Sequence, residues 1–378
     1  MLRRDRITRG LFILLLLVQI WLLSPAFSWP HITVGEFTSA PDKETLARPQ
    51  TVQQAFFASY QANEKTGIIF TGDVLLARNV EFLIQREGGS YPLDGVPLTE
   101  LLPGAAIVGN FEAAIPKEHQ PTPSLAMRFS VNPSFLPALA SAGFTHFSQA
   151  NNHSFDYGEE GFYGAKEALL ASGLVPFGNG RTLNKDSITY INTTAGRVSL
   201  IGIHASEVIP ARSTLKTVMA NAGRQSDLQV VYIHWGTEYK LVHNSVQEEI
   251  ATTLVEYGAD LIIGHHPHVV QDVQVVDGVV VFYSLGNYIF DQYFNQDVQE
   301  GLVVGLTFID SEASLRLLPV SSIGTLSQPW PMKEEKRRQF LQNVASRSDE
   351  TIRDQILDGV LLLPALVASS EKMAIMVR

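Results

Sequence analysis

GIIFTGDV, residues 67–74, is an apolar run that ends on Gly72-Asp73. It reads as a buried strand that delivers a carboxylate at its tip. AAIVGNFE (105–112) repeats the form, and FTHFSQANNH (144–153) repeats it again after an amphipathic helical stretch, PSFLPALASAG (133–143). RVSLIGIH (197–204), LQVVYIHWG (228–236) and ADLIIGHHPH (259–268) follow, with helical segments predicted at 159–172 and 245–257. VVDGVVVFYSLGN (275–287) reads as a hairpin turned at Asp277-Gly278. GLVVGLTF and SLRLLPV supply a last strand pair. Strands alternating with helices and then a hairpin-rich end predict a layered α/β domain over 66–320.

The 378 residues suffice for one large domain or two modest ones. With 45% hydrophobic and 17% charged residues the chain has a globular composition. A formal charge of −10 argues against a broad basic surface, and so against a nucleic-acid partner. The absence of cysteine removes disulfides and thiol nucleophiles, so any metal must be held by imidazole and oxygen.

Residues 1–28 carry Arg3, Arg4, Arg6 and Arg9 ahead of LFILLLLVQIWLLSPAF (11–27), the pattern of an export signal. Two outcomes stay open. Ala26-Phe27-Ser28 permits cleavage before Trp29, giving a secreted protein. Alternatively the run is kept as a membrane anchor, with the arginines inside. Its length exceeds the usual signal core and favours retention. Both outcomes place the body outside the cytoplasm. Residues 29–65 read as a spacer that ends in a short helix across 50–62, and 321–378 as a helical C-terminal extension. Within that extension GVLLLPALVA (359–368) is expected to be a packed element.

Polar chemistry recurs at the strand tips: Asp73; Asn110 and Glu112; Asn151, Asn152 and His153; His234; His265, His266 and His268. In an open sheet, ligands bind at the carboxyl ends of the strands. Each residue also has a structural reading. Asp73 could cap a helix, Asn152 could fix a turn, and His234 could be a satisfied core histidine. Taken as a set they are costly to bury unless something satisfies them, and a divalent cation does so. Asp, Glu, Asn and His suit zinc, manganese or iron, as one ion or two.

The ordered motifs GDVLL (72–76), GNFE (109–112), ANNHSFDYG (150–158), HWGTEY (234–239), GHHPHVVQ (264–271) and YSLGNYIFDQ (283–292) resemble the CapA/PgsA family of bacterial capsule and poly-γ-glutamate synthesis proteins. The resemblance implies a four-layer α/β/β/α sandwich like that of calcineurin-like metallophosphoesterases, with a dinuclear site between the sheets. It assigns Asp73 and His268 to the first metal and Glu112 to the bridge. Asn152, His234 and His266 fall to the second metal. His153 becomes the general acid or transition-state donor, and Asp156 the group that orients it. Two positions depart from the phosphoesterase pattern. Leu75 stands where Asp-x-His would place an imidazole, and Glu112 replaces the bridging aspartate.

Several other residues are candidates with open roles. Arg128 is the best cation for clamping a phosphate or carboxylate, with a surface salt bridge as its alternative. Trp235 and Tyr239 could line a groove or pack in the core. Glu238 could support a ligand or face solvent, and Ser284 and Asn287 sit on a tight turn at Gly286. His265 is expected to point away from the ligand pair if its segment is extended.

These readings predict hydrolysis of extracytoplasmic phosphoesters by a metal-activated water. The substrate would be an anionic or lipid-linked cell-envelope polymer intermediate, with membrane-bound polymer synthase components as neighbours. The alternatives are an accessory protein that binds an anionic polymer during synthesis or export, and a metal-dependent amide or peptide hydrolase.

Overall fold

The structure, a computed structural model, describes residues 67–309 and 312–363. The expected anchor, the spacer with its helix, and everything from residue 364 lie outside the described residues. The chain has a mixed α/β fold with two β-sheets.

In the first sheet, β1 (Ile68–Val74), β2 (Ala106–Phe111), β3 (His146–Ser148) and β4 (Val175–Phe177) run parallel. On the far side of β1 lie β12 (Glu300–Ile309) and β13 (Glu312–Ser321), antiparallel to one another. The short β11 (Asn287–Ile289) pairs in parallel with the tip of β1. The second sheet has the order β5 (Ile188–Thr193), β6 (Gly196–His204), β7 (Leu228–His234), β8 (Leu261–His265), β10 (Val279–Phe282), β9 (Val273–Val276). Asp277 and Gly278 turn β9 into β10 with φ of 46° and 85°, the pair of positive values a two-residue hairpin requires.

The strands read as continuous apolar runs because both of their faces are buried. Ile68 and Phe70 of β1 face Val230 and Tyr232 of β7 across a shared core, while Ile69, Val231 and Ile233 face outward. Helices cover the outer faces. On the first sheet these include α1 (Asn79–Glu87), α3 (Leu136–Ser141) and α4 (Gly158–Ala171), with the one-turn α2 (Leu98–Leu101) contributing Leu98. On the second sheet they are α5 (Arg212–Gly223) and α6 (Ser245–Glu256). Each fully buried Val, Leu, Ile or Phe contributes ~1.5–3 kcal/mol, so these three apolar layers supply the main stabilisation.

Beyond residue 320 the chain forms β14 (Trp330–Pro331), α7 (Glu334–Arg347), α8 (Arg353–Asp358) and β15 (Val360–Leu363). Both strands pair with β13, and Phe340, Leu341, Val344 and Ile356 enter the core between the sheets. Among the described residues no helix is long and apolar enough to cross a membrane.

The parallel strands of both sheets end at one place, and a glycine contact sets the first tip. A Cβ on Gly72 would lie 2.0 Å from the Gly286 carbonyl oxygen, the same oxygen that accepts from the Asp73 amide at 3.0 Å. Gly72→Ala is therefore expected to lower stability by about 1–3 kcal/mol, since backbone has to move to admit one methyl group. Equilibrium denaturation checks this. An unchanged midpoint would show that the contact does not position Asp73.

Candidate metal centre

Asp73 does not cap a helix, because α1 begins only at Asn79. Its carboxylate is fully buried and faces the second sheet. The register places Asp73 beside Asn110 on one side and Asn287 on the other. Asn110 donates from Nδ2 to Asp73 Oδ1 at 2.8 Å, reaches Glu112 Oε2 at 3.3 Å, and lies 3.3 Å from His234 Nδ1. Asn151 fixes that amide by donating to Asn110 Oδ1 at 3.0 Å. With Nδ1 of His234 facing an amide donor, Nε2 carries the proton and donates to Asn152 Oδ1 at 2.8 Å.

The second sheet supplies the histidines. His234 ends β7, and the turn after β8 carries His266 and His268 with φ of 95° and 58°. His266 donates its backbone N–H to Asp73 Oδ2 at 3.3 Å, and its ring centroid is 4.6 Å from that of His234. His268 Nδ1 lies 3.5 Å from Asp73 Oδ2, and its Nε2 lies 3.7 Å from Glu112 Oε1. Asn287 steadies that ring through a 2.9 Å contact of its Oδ1 with His268 Nδ1. The structure thus brings Asp73, Glu112, Asn152, His234, His266 and His268 to one buried place.

His153 stands at the edge of this group. Its ring stacks on Phe129 with centroids 4.0 Å apart, and Nδ1 donates to Asp156 Oδ2 at 2.8 Å. Nε2 is left facing Glu112 Oε1 at 4.0 Å. Asp156 Oδ2 also accepts from the Phe129 amide at 2.6 Å, so one carboxylate fixes both the imidazole and the ring beneath it.

Two groups of three side chains can each hold a cation. Ligand atoms of Asp73, Glu112 and His234 lie within 4.8 Å of one another, and so do those of Glu238, His266 and His268. Two buried polar atoms inside these groups, Glu112 Oε1 and His266 Nδ1, have no hydrogen-bond partner in the protein. Such atoms are rare in folded chains, and a divalent ion satisfies them. Carboxylate, amide oxygen and imidazole together fit manganese, zinc or iron better than the all-oxygen ions.

The electrostatics agree with that donor set. Burial pushes the Asp73 carboxyl up, but hydrogen bonds and charge from His265 and His268 reverse this and leave it well below the usual carboxylate range. Glu112 is pushed well above its ordinary value by burial and then by the Asp73 charge. Burial and the neighbouring His268 depress His266 to about 3, and burial with His266 holds His234 well below its ordinary value. Both rings are therefore neutral at neutral pH, and Nδ1 of His266 has no partner in the protein. Burial would lower His268 as well, yet Glu112 and Asp73 hold it up at about 9, so a cation taking that ring must displace a proton.

Residues 67–292 match the family described as Bacterial capsule synthesis protein PGA_cap. The chain belongs to this family. It is 30% identical over 305 residues to the capsule biosynthesis protein CapA of Bacillus anthracis, covering 75% of this chain and 74% of that one. It is 29% identical over 251 residues to the PGA biosynthesis protein CapA of Bacillus subtilis, covering 62% of this chain and 66% of that one. A solved structure described as a novel phosphatase of Mycoplasma pneumoniae overlays at TM-score 0.40 and 15% identity, covering 71% of this chain and 92% of that one.

In this PGA_cap member Arg128 is exposed. Its guanidinium lies over the Tyr157 ring at 4.1 Å and donates to the Asp156 carbonyl. Arg78 is the cation nearer the centre, and the sequence reading missed it. It pairs with buried Asp291, lies 4.6 Å from the Phe129 centroid and has φ 56°. The expectation that His265 points away is corrected, for its Nδ1 lies 3.2 Å from Asp73 Oδ1. The signal was available in the register, because His265 pairs with His234 and directly paired residues share a face. Trp235 is core, with Nε1 donating to the Tyr283 carbonyl at 2.8 Å. Tyr239 is on the rim, 40% exposed and edge-on to the exposed Phe294. Ser284 accepts from the Gly286 amide, the loop role that was its default.

Proposed function

We propose that the chain is a metal-dependent phosphoesterase of the cell envelope, acting outside the cytoplasm on a phosphoester of an anionic or lipid-linked polymer intermediate. The observation that carries this reading is the convergence of Asp73, Glu112 and His234 from two sheets, fully buried, beside a histidine fixed by its own carboxylate. On this reading Asp73, Glu112 and His234 hold one ion, with Asn152 against His234, and His266 and His268 take part in holding a second. We read the body as a four-layer α/β/β/α sandwich of the metallophosphoesterase type, a reading supported by two sheets with helices on their outer faces.

A bound divalent ion would supply Lewis acidity and lower the pKa of a water molecule next to the phosphorus. The protein contributes position and a proton. His153, held at Nδ1 by Asp156, presents Nε2 to the oxygen that leaves as the P–O bond breaks, and donates a proton there. Phe129 beneath the ring and the apolar layers around the site exclude bulk water from that transfer.

The test strips the full-length protein in detergent with a chelator. It then restores Mn²⁺, Zn²⁺ or Fe²⁺ and assays generic phosphomonoesters and phosphodiesters. Turnover is expected only after an ion returns. Protein shown to have bound its ion, yet giving no turnover above the ion alone, would sink the hydrolase. A second reading is favoured by Leu75, which withholds a ligand, and by relatives described by biosynthesis rather than hydrolysis. It is an accessory role in which the same cleft binds an anionic polymer such as poly-γ-glutamate through the metal. Retention of polyglutamate without turnover would select it.

A further inference from the structure

We propose that Glu238 is a metal ligand, supplying with His266 and His268 the donor that Leu75 cannot. This rests on the metal-centre reading above and deepens it.

Position 75 offers no donor: Leu75 is fully buried in the apolar layer under α1, and its amide is tied to the Ile289 carbonyl at 2.8 Å. The missing donor arrives instead from the opposite sheet. A carboxylate oxygen of half-buried Glu238 lies with nitrogens of His266 and His268 in a set no more than 4.8 Å apart. Those are separations one cation can close, since metal–nitrogen and metal–oxygen bonds of about 2.0–2.2 Å put ligand atoms of one ion roughly 3–4 Å apart.

Two further observations point the same way. His266 is 8% exposed, and its Nδ1 has no partner in the protein, so an imidazole lone pair is left without a donor. The two turns that carry the set are also locked together. Tyr239, next to Glu238, donates its amide to the Pro267 carbonyl at 2.8 Å, between the two histidines. Tyr239, His266 and His268 all take positive φ, at 63°, 95° and 58°. Left-handed backbone at a residue other than glycine is strained, and such strain concentrates at ligand clamps. Replacing an imidazole by a carboxylate hardens the donor set, which moves its preference from zinc toward manganese or iron(II).

The experiment titrates Mn²⁺ into metal-stripped full-length protein in detergent, following free Mn²⁺ by electron paramagnetic resonance. Circular dichroism controls for folding. Wild type is expected to take up two equivalents. Glu238→Gln should lose one of them, or bind it about tenfold or more weakly, with its folding unchanged. Glu238→His should recover the lost equivalent when Zn²⁺ is offered, which separates lost ligation from lost structure. Glu238→Gln with wild-type stoichiometry and affinity would overturn the proposal while leaving the phosphoesterase reading intact. Wild-type protein that binds no ion would overturn both. Two ions, one of them lost in Glu238→Gln, in a protein without turnover would support the ligand and sink only the hydrolase.

Discussion

Glu112→Gln is expected to abolish metal-dependent turnover and to leave the metal-stripped protein more stable than wild type. Glu112 is fully buried, and its Oε1 has no hydrogen-bond partner. Burial and the Asp73 charge raise its pKa well above the ordinary value. The sign follows from proton counting. Between the unfolded and the raised folded pKa the native chain holds more protons, so this group's contribution to stability falls as pH rises. Glutamine keeps the size and can still accept from Asn110 in place of Oε2, but it never ionises. The gain should be on the order of 1 kcal/mol and should grow from about pH 5 toward pH 8, read from urea melts at each pH. Metal affinity should fall by more than ~100-fold, beyond the loss caused by removing groups that only support a ligand. A variant that melts earlier than wild type across that range, or keeps its metal, would show that Glu112 is a structural residue.

His153→Ala should have the second large effect, separable from the first because it spares the ligands. Turnover is expected to fall by about 10²–10⁴ while the ion stoichiometry stays at the wild-type value. The loss should be greatest with poor leaving groups and small with leaving groups that need no proton, such as nitrophenolate. Asp156→Asn should fall between the two. It keeps the ring in place yet removes the carboxylate that accepts from His153 Nδ1 at 2.8 Å. Equal losses for good and poor leaving groups would exclude a proton-donor role for His153.

Much of this was legible because strand tips announce themselves. Asp73, Glu112, Asn152, His153, His234 and His266 each follow an apolar run within a few residues, and parallel strands carry their tips to the same end. What stayed hidden depended on conformations that composition does not encode. Arg78 comes near the centre through a left-handed residue just before α1, where nothing in LLARN marks the turn. Glu238 and Tyr239 lie in a turn set by a contact with Pro267, from another strand connection. His265 was misjudged because alternation was carried past the end of β8, where the φ of His266 breaks it. The residues after 320 looked polar and helical, and their role in the inter-sheet core appears only once Phe340 and Ile356 are placed.

The candidate ligands come from segments almost two hundred positions apart, Asp73 and Glu112 on one sheet and His234, His266 and His268 on the other. An ion seated there would act as a rivet between the two halves of the molecule. Loading of the set made by Asp73, Glu112 and His234 would then report that folding had finished, since that chelate draws on both halves. On the proposed reading of an exported hydrolase, the cation would be a checkpoint on assembly as well as a reagent.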